Sequence, residues 1–171
     1  MEGRFSPDIA DQLIEGAALP SRGIYTSVGT YDHGEMVTLV TNLSAISKIG
    51  VPDLLKAFGQ HLLQQFVIKF PPFFAGITSS FEFLPKVDSF VHVEVKKLYP
   101  DAELPTFSCN FPTPDQLQMT YESDRNLPDL AEGLILGCLE HFREQMEVVR
   151  DSVPGNPRAT LFMITRVKGA V

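Results

Sequence analysis

The spacing of apolar residues changes halfway along this chain of 171 residues, and that change constrains the fold more than any other feature of the sequence. Before about residue 100, apolar side chains recur every three or four positions, as Leu39, Leu43 and Ile46 do, which is typical of amphipathic helices. After it, they alternate with polar side chains, as Leu117 and Met119 do, which is typical of strands with one buried face. The sequence therefore predicts a helical half followed by a sheet.

Helices are predicted wherever the helical spacing runs between proline and glycine breaks. Such breaks occur at Pro20, at Gly50 and at the Pro71-Pro72 pair. The helical segments predicted in the first half are residues 8–18, 36–46, 55–66, 81–84 and 87–99.

The second half is predicted to form a small antiparallel sheet with one more helix. The predicted strands are residues 106–111, 116–123, 145–149 and 159–167, and the helix is 126–142. Gly133 and Gly137 lie four positions apart on this helix, which indicates a groove for close packing. The fold class is therefore α+β, with an N-terminal helical half followed by a small antiparallel sheet with packed helices. At this length we expect a single domain over residues 1–171.

Composition and charge exclude several classes of partner. Fourteen basic and twenty-one acidic residues give a net charge of −7, and no Lys/Arg cluster alternates with aromatic residues, so we expect no nucleic acid partner. No apolar run approaches the roughly 20 residues of a membrane span, and the N-terminus lacks a signal-peptide layout, so we expect no membrane association and a cytoplasmic location. Cys109 and Cys138 have neither the spacing nor the context of a disulfide, and we expect free thiols.

Motifs of enzymatic catalysis are absent from the sequence. There is no nucleophile elbow, phosphate loop or dinucleotide fingerprint. His33, His61 and His141 lie too far apart to form a zinc motif. We therefore expect that the protein is not an enzyme.

Three polar residues alternate along the second predicted strand and the turn that follows it. Tyr121, Ser123 and Arg125 project from the same side because strand side chains alternate with a period of two. A phenol, a hydroxyl and a guanidinium together can bind one or two carboxylates. The alternative is structural: Tyr121 packs in the core, Ser123 caps the turn and Arg125 faces solvent.

His92 lies on the predicted helix 87–99, beside the apolar positions Val91 and Val95. A histidine on such a helix is most often a structural residue of the core. A neutral imidazole on a rigid helix is also what the proximal site of a haem iron requires. The residue itself leaves both readings open.

The joint pattern of these residues resembles the H-NOX family, the haem nitric-oxide/oxygen-binding (HNOB) domains, which include the haem domain of soluble guanylate cyclase. The resemblance extends from about residue 9 to the C-terminus and includes the helix that contains Gly133. The pattern is His92-(x6)-Tyr99-Pro100-(x4)-Pro105-x-Phe107 followed by Tyr121-x-Ser123-x-Arg125.

The resemblance implies haem b (iron protoporphyrin IX) between the two halves of the domain, and it implies a role for each matching residue. By position, His92 matches the proximal iron ligand, and Tyr121, Ser123 and Arg125 match the clamp on the haem propionates. Pro105 matches the proline that distorts the porphyrin, and Leu134 and Phe66 match residues that line the pocket. Leu130 matches the position at which oxygen-binding members carry a distal tyrosine.

An apolar Leu130 favours nitric oxide over dioxygen, because bound dioxygen is polarised and gains from a hydrogen-bond donor. The resemblance therefore implies a haem-based nitric-oxide sensor, with CO as a second gas. In the family, nitric oxide weakens or breaks the bond between iron and histidine, and the freed helix lets the two halves shift. With no kinase or cyclase segment in the sequence, the output is expected to pass in trans to a signalling protein such as a histidine kinase or a cyclic-di-GMP enzyme.

One departure from the family keeps a second reading open. Members usually begin with a helix that precedes the segment matching residues 4–18, and we expect this helix to be missing here, which would open the distal pocket and reduce haem affinity. The alternative function is a haem-free H-NOX-like module that binds a partner or an apolar ligand. A haem oxidase or peroxidase ranks last, because the sequence offers no distal acid or base.

Overall fold

The helical half forms as the apolar spacing predicts, except over Val87–Val91. The computed structural model describes residues 7–17, 19–26 and 31–167, so residue 4 and the predicted end of the first helix at residue 18 lie outside the described part. The α-helices of this half are α1 (Pro7–Gly16), α2 (His33–Ser47), α3 (Val51–Lys69), α4 (Ser80–Phe83) and α5 (His92–Leu98). A short 3-10 helix, Pro71–Phe73, follows α3, and a π-helical turn, Val87–Val91, precedes α5.

Local sequence explains where the two longest helices of this half begin. Asp32 caps α2, because its Oδ1 accepts a hydrogen bond of 2.7 Å from the backbone N–H of Gly34. Helix α3 begins after Gly50 and has Pro52 in its first turn. Backbone N–H groups in the first turn have no acceptor within the helix, so the N–H that proline lacks is not needed there.

The second half forms one antiparallel sheet. Its strands are β1 (Thr106–Thr113), β2 (Gln116–Glu122), β3 (Met146–Val153) and β4 (Asn156–Arg166), in the order β1-β2-β4-β3. Helix α6 (Pro128–His141) connects β2 to β3. Six α-helices and four strands within the described residues confirm the predicted α+β class and the order of its two halves.

Strands β1 and β4 extend further than predicted because each includes a proline. Pro112 lies in β1 and Pro157 in β4, and in each case the pairing register shifts next to the proline. Such irregularities accommodate a residue that cannot donate to the ladder. The predicted four-residue break at 154–157 is therefore a two-residue turn at Pro154 and Gly155, with Gly155 at φ 78°.

The core lies between the sheet and α6. Leu117, Met119, Phe162 and Ile164 alternate on the inner face of β2 and β4, and each is at most 1% exposed. They belong to one apolar cluster with residues of α6, including the fully buried Cys138. Burial on this one face explains the period of two that the sequence shows along β2.

Helix α6 crosses α3 at close range through glycines. A methyl group on Gly59 of α3 would lie 2.5 Å from the carbonyl oxygen of Leu130, and one on Gly133 of α6 would lie 2.8 Å from the Cα of Lys56. Gly137 faces Gln60 one turn further along. The predicted packing role of Gly133 and Gly137 is thus confirmed.

The loop before α2 is held by a buried carboxylate. Glu35, 7% exposed, accepts hydrogen bonds from the backbone N–H of Ser21 at 3.0 Å, the Ser21 hydroxyl at 2.5 Å and the Tyr25 hydroxyl at 2.7 Å. These bonds, the Ser21 hydroxyl first, lower the pKa of Glu35 below its ordinary value.

Acid should therefore release this loop. A carboxyl whose pKa is lowered by folding contributes stability above its unfolded pKa of about 4.3, and that contribution disappears as the pH falls through the lowered value. We expect the free energy of unfolding to fall more steeply with acid in the wild type than in Glu35→Gln, measured by urea denaturation across this range. Glu147→Gln, at an exposed position of β3, should keep the wild-type slope. Identical slopes in Glu35→Gln and the wild type would contradict the assignment.

Candidate functional site

A cavity of about 380 Å³ lies where the helical half meets the sheet. Its walls come from α3, the π-helical turn, α5, the segment that follows α5, β2 and α6. Most of the lining is aliphatic or aromatic, as at Leu63, Val91, Val95 and Ile135. The volume lies in the range of small-molecule sites, roughly 300–1,000 Å³.

All eight candidate residues from the sequence line this one cavity. Residues distant in sequence converge here because α3, α6 and β2 all contribute to its lining. The eight are Phe66, His92, Pro105, Tyr121, Ser123, Arg125, Leu130 and Leu134.

His92 is the first residue of α5 and forms part of the cavity wall. Its side chain is 16% exposed, and its Nδ1 lies 3.4 Å from Oδ1 of Asp88. Burial lowers the pKa of His92, while hydrogen bonds with Asp88 and the backbone of Pro105 act in the opposite direction. The ring is therefore neutral at pH 7, which is the form that binds a metal.

The segment before His92 differs from the prediction. The sequence predicts a continuous helix over residues 87–99, whereas the structure has a π-helical turn at Val87–Val91 in which the N–H of His92 donates to the carbonyl of Val87. Apolar spacing does not distinguish one such turn from an α-helix, and π turns occur frequently at functional sites.

Tyr121 is both a core residue and a cavity residue. It is 4% exposed, and its hydroxyl oxygen accepts a 3.0 Å hydrogen bond from the backbone N–H of Leu127. Leu127 precedes α6 and supplies no side-chain cap, so the phenol satisfies a backbone donor at the start of this helix. The phenol proton remains available to an acceptor in the cavity.

Ser123 and Arg125 lie at the mouth of the cavity. The Ser123 hydroxyl accepts a 3.2 Å hydrogen bond from the backbone N–H of Arg125, so Ser123 also caps the turn. Arg125 Nη2 lies 3.3 Å from Oε2 of Glu103, another cavity residue, and the arginine side chain is 38% exposed. A carboxylate of this chain thus already contacts the guanidinium.

Three residues to which no sequence motif assigns a role also belong to the site: Asp88, Glu103 and Phe107. Asp88 lies four positions before His92, a spacing that could have indicated contact on a helix. Phe107 belongs to the sequence pattern but received no role; its ring centroid lies 5.6 Å from that of His92 and 5.7 Å from that of Tyr121.

Cys138 also lines the cavity, from α6, and is completely buried. Burial raises the pKa of its thiol well above the ordinary value, so it stays protonated. Both cysteines are free, as predicted.

The donor set of the cavity fits a haem. His92 offers one neutral imidazole to a metal, Arg125 with Tyr121 and Ser123 offers donors to carboxylates, and the remaining lining suits a flat apolar ring. An α+β fold with this combination defines the class of haem-binding sensor domains.

The comparison with protein families agrees with this class. The sequence model of the Haem-NO-binding family, HNOB, matches residues 1–150. The chain therefore belongs to the H-NOX family of haem-based gas sensors, whose domains are sensory rather than catalytic.

Solved H-NOX structures have the same fold. The CO-bound Fe(II) H-NOX of Shewanella woodyi, in complex with IWP-051, is 39% identical with a TM-score of 0.85, over 99% of this chain and 90% of the other. The unliganded Fe(II) H-NOX protein of K. algicida is 33% identical with a TM-score of 0.89, over 99% and 92%. The NO-bound Fe(II) H-NOX of S. oneidensis, at 23% identity, TM-score 0.86 and 95% and 91% coverage, supports the fold alone.

The comparison with curated proteins gave no match. In the part of the chain that the structure describes, no helix is both long and apolar enough to cross a membrane.

Proposed function

We propose that this chain is a haem-based nitric-oxide sensor in which His92 binds the iron of haem b. The observation that carries the proposal is the convergence of His92, Tyr121, Ser123 and Arg125 on one apolar cavity. When bound, haem would supply the iron to which the gas binds. The protein residues hold the group, orient it and determine which gas is favoured.

Arg125 is the residue that binds the haem carboxylates most strongly, because a guanidinium can form two parallel charged hydrogen bonds. Tyr121 and Ser123 add hydroxyl donors on the same side of the cavity. Pro105, Leu134 and Phe66 line the same cavity and would pack against the ring. The whole chain, residues 1–171, functions as one haem-binding domain.

Gas preference depends on Leu130. It lines the cavity from α6, and its aliphatic side chain has no hydrogen-bond donor for a polarised ligand. Nitric oxide binds ferrous haem strongly without such a donor, whereas dioxygen benefits from one. The site therefore favours nitric oxide, and CO is the second gas that it accepts.

Leu130→Tyr should give the reduced protein a stable dioxygen complex in air, because the phenol can donate to the bound gas. The measurement is the visible spectrum of the reduced, haem-loaded variant after exposure to air. Leu130→Phe is the matched control, since it has the same ring without the hydroxyl. Stable dioxygen binding by the wild type would contradict the proposed gas preference.

Glu103 competes with the haem carboxylates for Arg125, since its Oε2 lies 3.3 Å from Nη2. Glu103→Gln should therefore increase haem affinity by up to about fivefold, the range expected for one exposed ion pair. Arg125→Ala should decrease it. The measurement is the rate of haem transfer to apomyoglobin, with Glu122→Gln as a control at an exposed position of β2. No change in Glu103→Gln would show that the pair does not compete.

The signal passes from His92 to a separate signalling protein, such as a histidine kinase or a cyclic-di-GMP enzyme. His92 is the first residue of α5, so a change in its position moves the start of that helix against β1, through contacts such as the one with Phe107. Once haem is bound, nitric oxide would act by weakening the attachment of His92 to the iron, and α5 would then be free to shift with the helical half of the domain.

Titration of the haem-free protein with haem tests this function. We expect a Soret band that saturates at one haem per chain. A wild-type protein that folds but gives no such band would favour the alternative, a haem-free module that binds a partner or an apolar ligand.

A further inference from the structure

One carboxylate oxygen joins the segment before His92 to the sheet. Oδ1 of Asp88 lies 3.4 Å from Nδ1 of His92, and the same atom accepts a 3.3 Å hydrogen bond from the backbone N–H of Phe107 on β1. Asp88 is thus held by the sheet while it faces the imidazole ring.

The π-helical turn places Asp88 at this position. Within Val87–Val91 the backbone bond runs from the N–H of His92 to the carbonyl of Val87, five residues earlier. Asp88 lies within this turn, four residues before His92, and its Oδ1 faces Nδ1 of the ring, which leaves Nε2 for a metal.

We propose that Asp88 is a positioning residue for His92: its carboxylate accepts the Nδ1 proton and so presents the unprotonated Nε2 to the cavity. This inference rests on the proposed function, in which His92 binds the haem iron. It goes further, because it assigns the residue that selects the ring tautomer and strengthens the bond from His92 to the iron.

The physical reason is the effect of a second-layer acceptor on a metal-bound histidine. A carboxylate on the far nitrogen fixes the tautomer and the ring orientation and raises the basicity of the ligating nitrogen. A neutral acceptor raises the basicity of the ligating nitrogen less than a carboxylate does. Asp88 consequently determines how easily nitric oxide releases His92, and its removal should make release easier.

A purely structural role for Asp88 predicts different results. In that case its carboxylate would only join the turn to β1 through the N–H of Phe107. Asp88→Asn keeps the size of the side chain and a carbonyl acceptor for that N–H, and it removes the charge. Glu94→Gln is the matched control, because it is the same chemical change two residues after His92, at a side chain that pairs with Lys97 instead.

The first measurement uses the haem-free protein, so it does not depend on the proposed function. Nitrogen-15 NMR of the His92 ring should show the Nδ1-protonated tautomer in the wild type and in Glu94→Gln. Asp88→Asn should shift the ring toward a mixture of tautomers. Thermal melts of all three proteins establish that they are equally folded.

The second measurement uses the haem-loaded protein. Asp88→Asn should lower the iron–histidine stretching frequency and increase the rate of haem loss by about tenfold, the lower end of the effect of removing such a partner. Glu94→Gln should match the wild type. If Asp88→Asn and Glu94→Gln give the same results in both measurements, the proposal is wrong. A wild type that takes up no haem would overturn the proposed function, and the NMR result would still decide whether Asp88 selects the tautomer.

Discussion

Replacing Gly133 with alanine is expected to lower the free energy of unfolding by at least about 3 kcal/mol, the upper part of the range for overpacked cores. The added methyl group would overlap the carbonyl oxygen of Lys56 and lie 2.8 Å from that residue's Cα and carbonyl carbon. These are backbone atoms of α3, which cannot turn away as a side chain can. Helices α3 and α6 would have to separate, and the cavity beside them would change shape.

Urea denaturation measures this loss directly, and the melting temperature should fall by about 6 to 12 °C for a chain of this size. Gly16→Ala is the control, because a methyl group there meets nothing within 4 Å. It should leave stability unchanged or raise it, since alanine is the better helix former by up to about 1 kcal/mol. Equal stabilities of Gly133→Ala and Gly16→Ala would contradict the described helix crossing.

Replacing His92 with alanine is expected to remove the axial ligand and to reduce haem affinity by more than about 100-fold, because loss of an outer partner alone reduces metal affinity by 10- to 100-fold. The apolar lining and Arg125 would remain, so residual binding should be weak and its Soret band altered. Free imidazole should restore the wild-type spectrum by occupying the space that the side chain leaves.

The measurement is the absorption spectrum of the reduced variant with and without imidazole. His61→Ala is the control; His61 is exposed on α3 and does not line the haem cavity. It should have the wild-type spectrum. A His92→Ala protein with the same spectrum as the wild type would show that another residue binds the iron.

Most of the fold could be predicted because apolar periodicity reports which face of an element is buried. Along β2 the buried Leu117, Met119 and Tyr121 alternate with less buried neighbours, and that alternation is visible in the sequence. Strand ends were less predictable, since Pro112 and Pro157 suggest loops and only the three-dimensional pairing shows the register shifts that accommodate them.

The site was predictable to the extent that its residues form a pattern along the chain. His92 and the triplet beginning at Tyr121 have characteristic spacing, and the structure brings them to one cavity. The four-residue spacing of Asp88 and His92 could have indicated their contact, whereas the contact of Asp88 with Phe107 depends on how the π-helical turn packs against β1. Neither contact follows from the spacing of apolar residues.

The structure also reconciles readings that the sequence left as alternatives. Tyr121 packs in the core and Ser123 caps a turn, and both still line the cavity. The structural contacts coincide with the proposed binding roles because Tyr121, Ser123 and Arg125 lie at the end of β2 and in the turn before α6. Such placement keeps the donors rigid.

Nitric-oxide binding to the reduced, haem-loaded protein tests the central claim most directly. We expect the Soret band to move, when nitric oxide is added without air, to the position of a haem that has lost its histidine ligand. We expect no stable dioxygen complex when the unliganded protein is exposed to air. If the Soret band of the reduced protein does not change with nitric oxide, or if the protein binds dioxygen stably, it is not a nitric-oxide sensor in which His92 binds the iron.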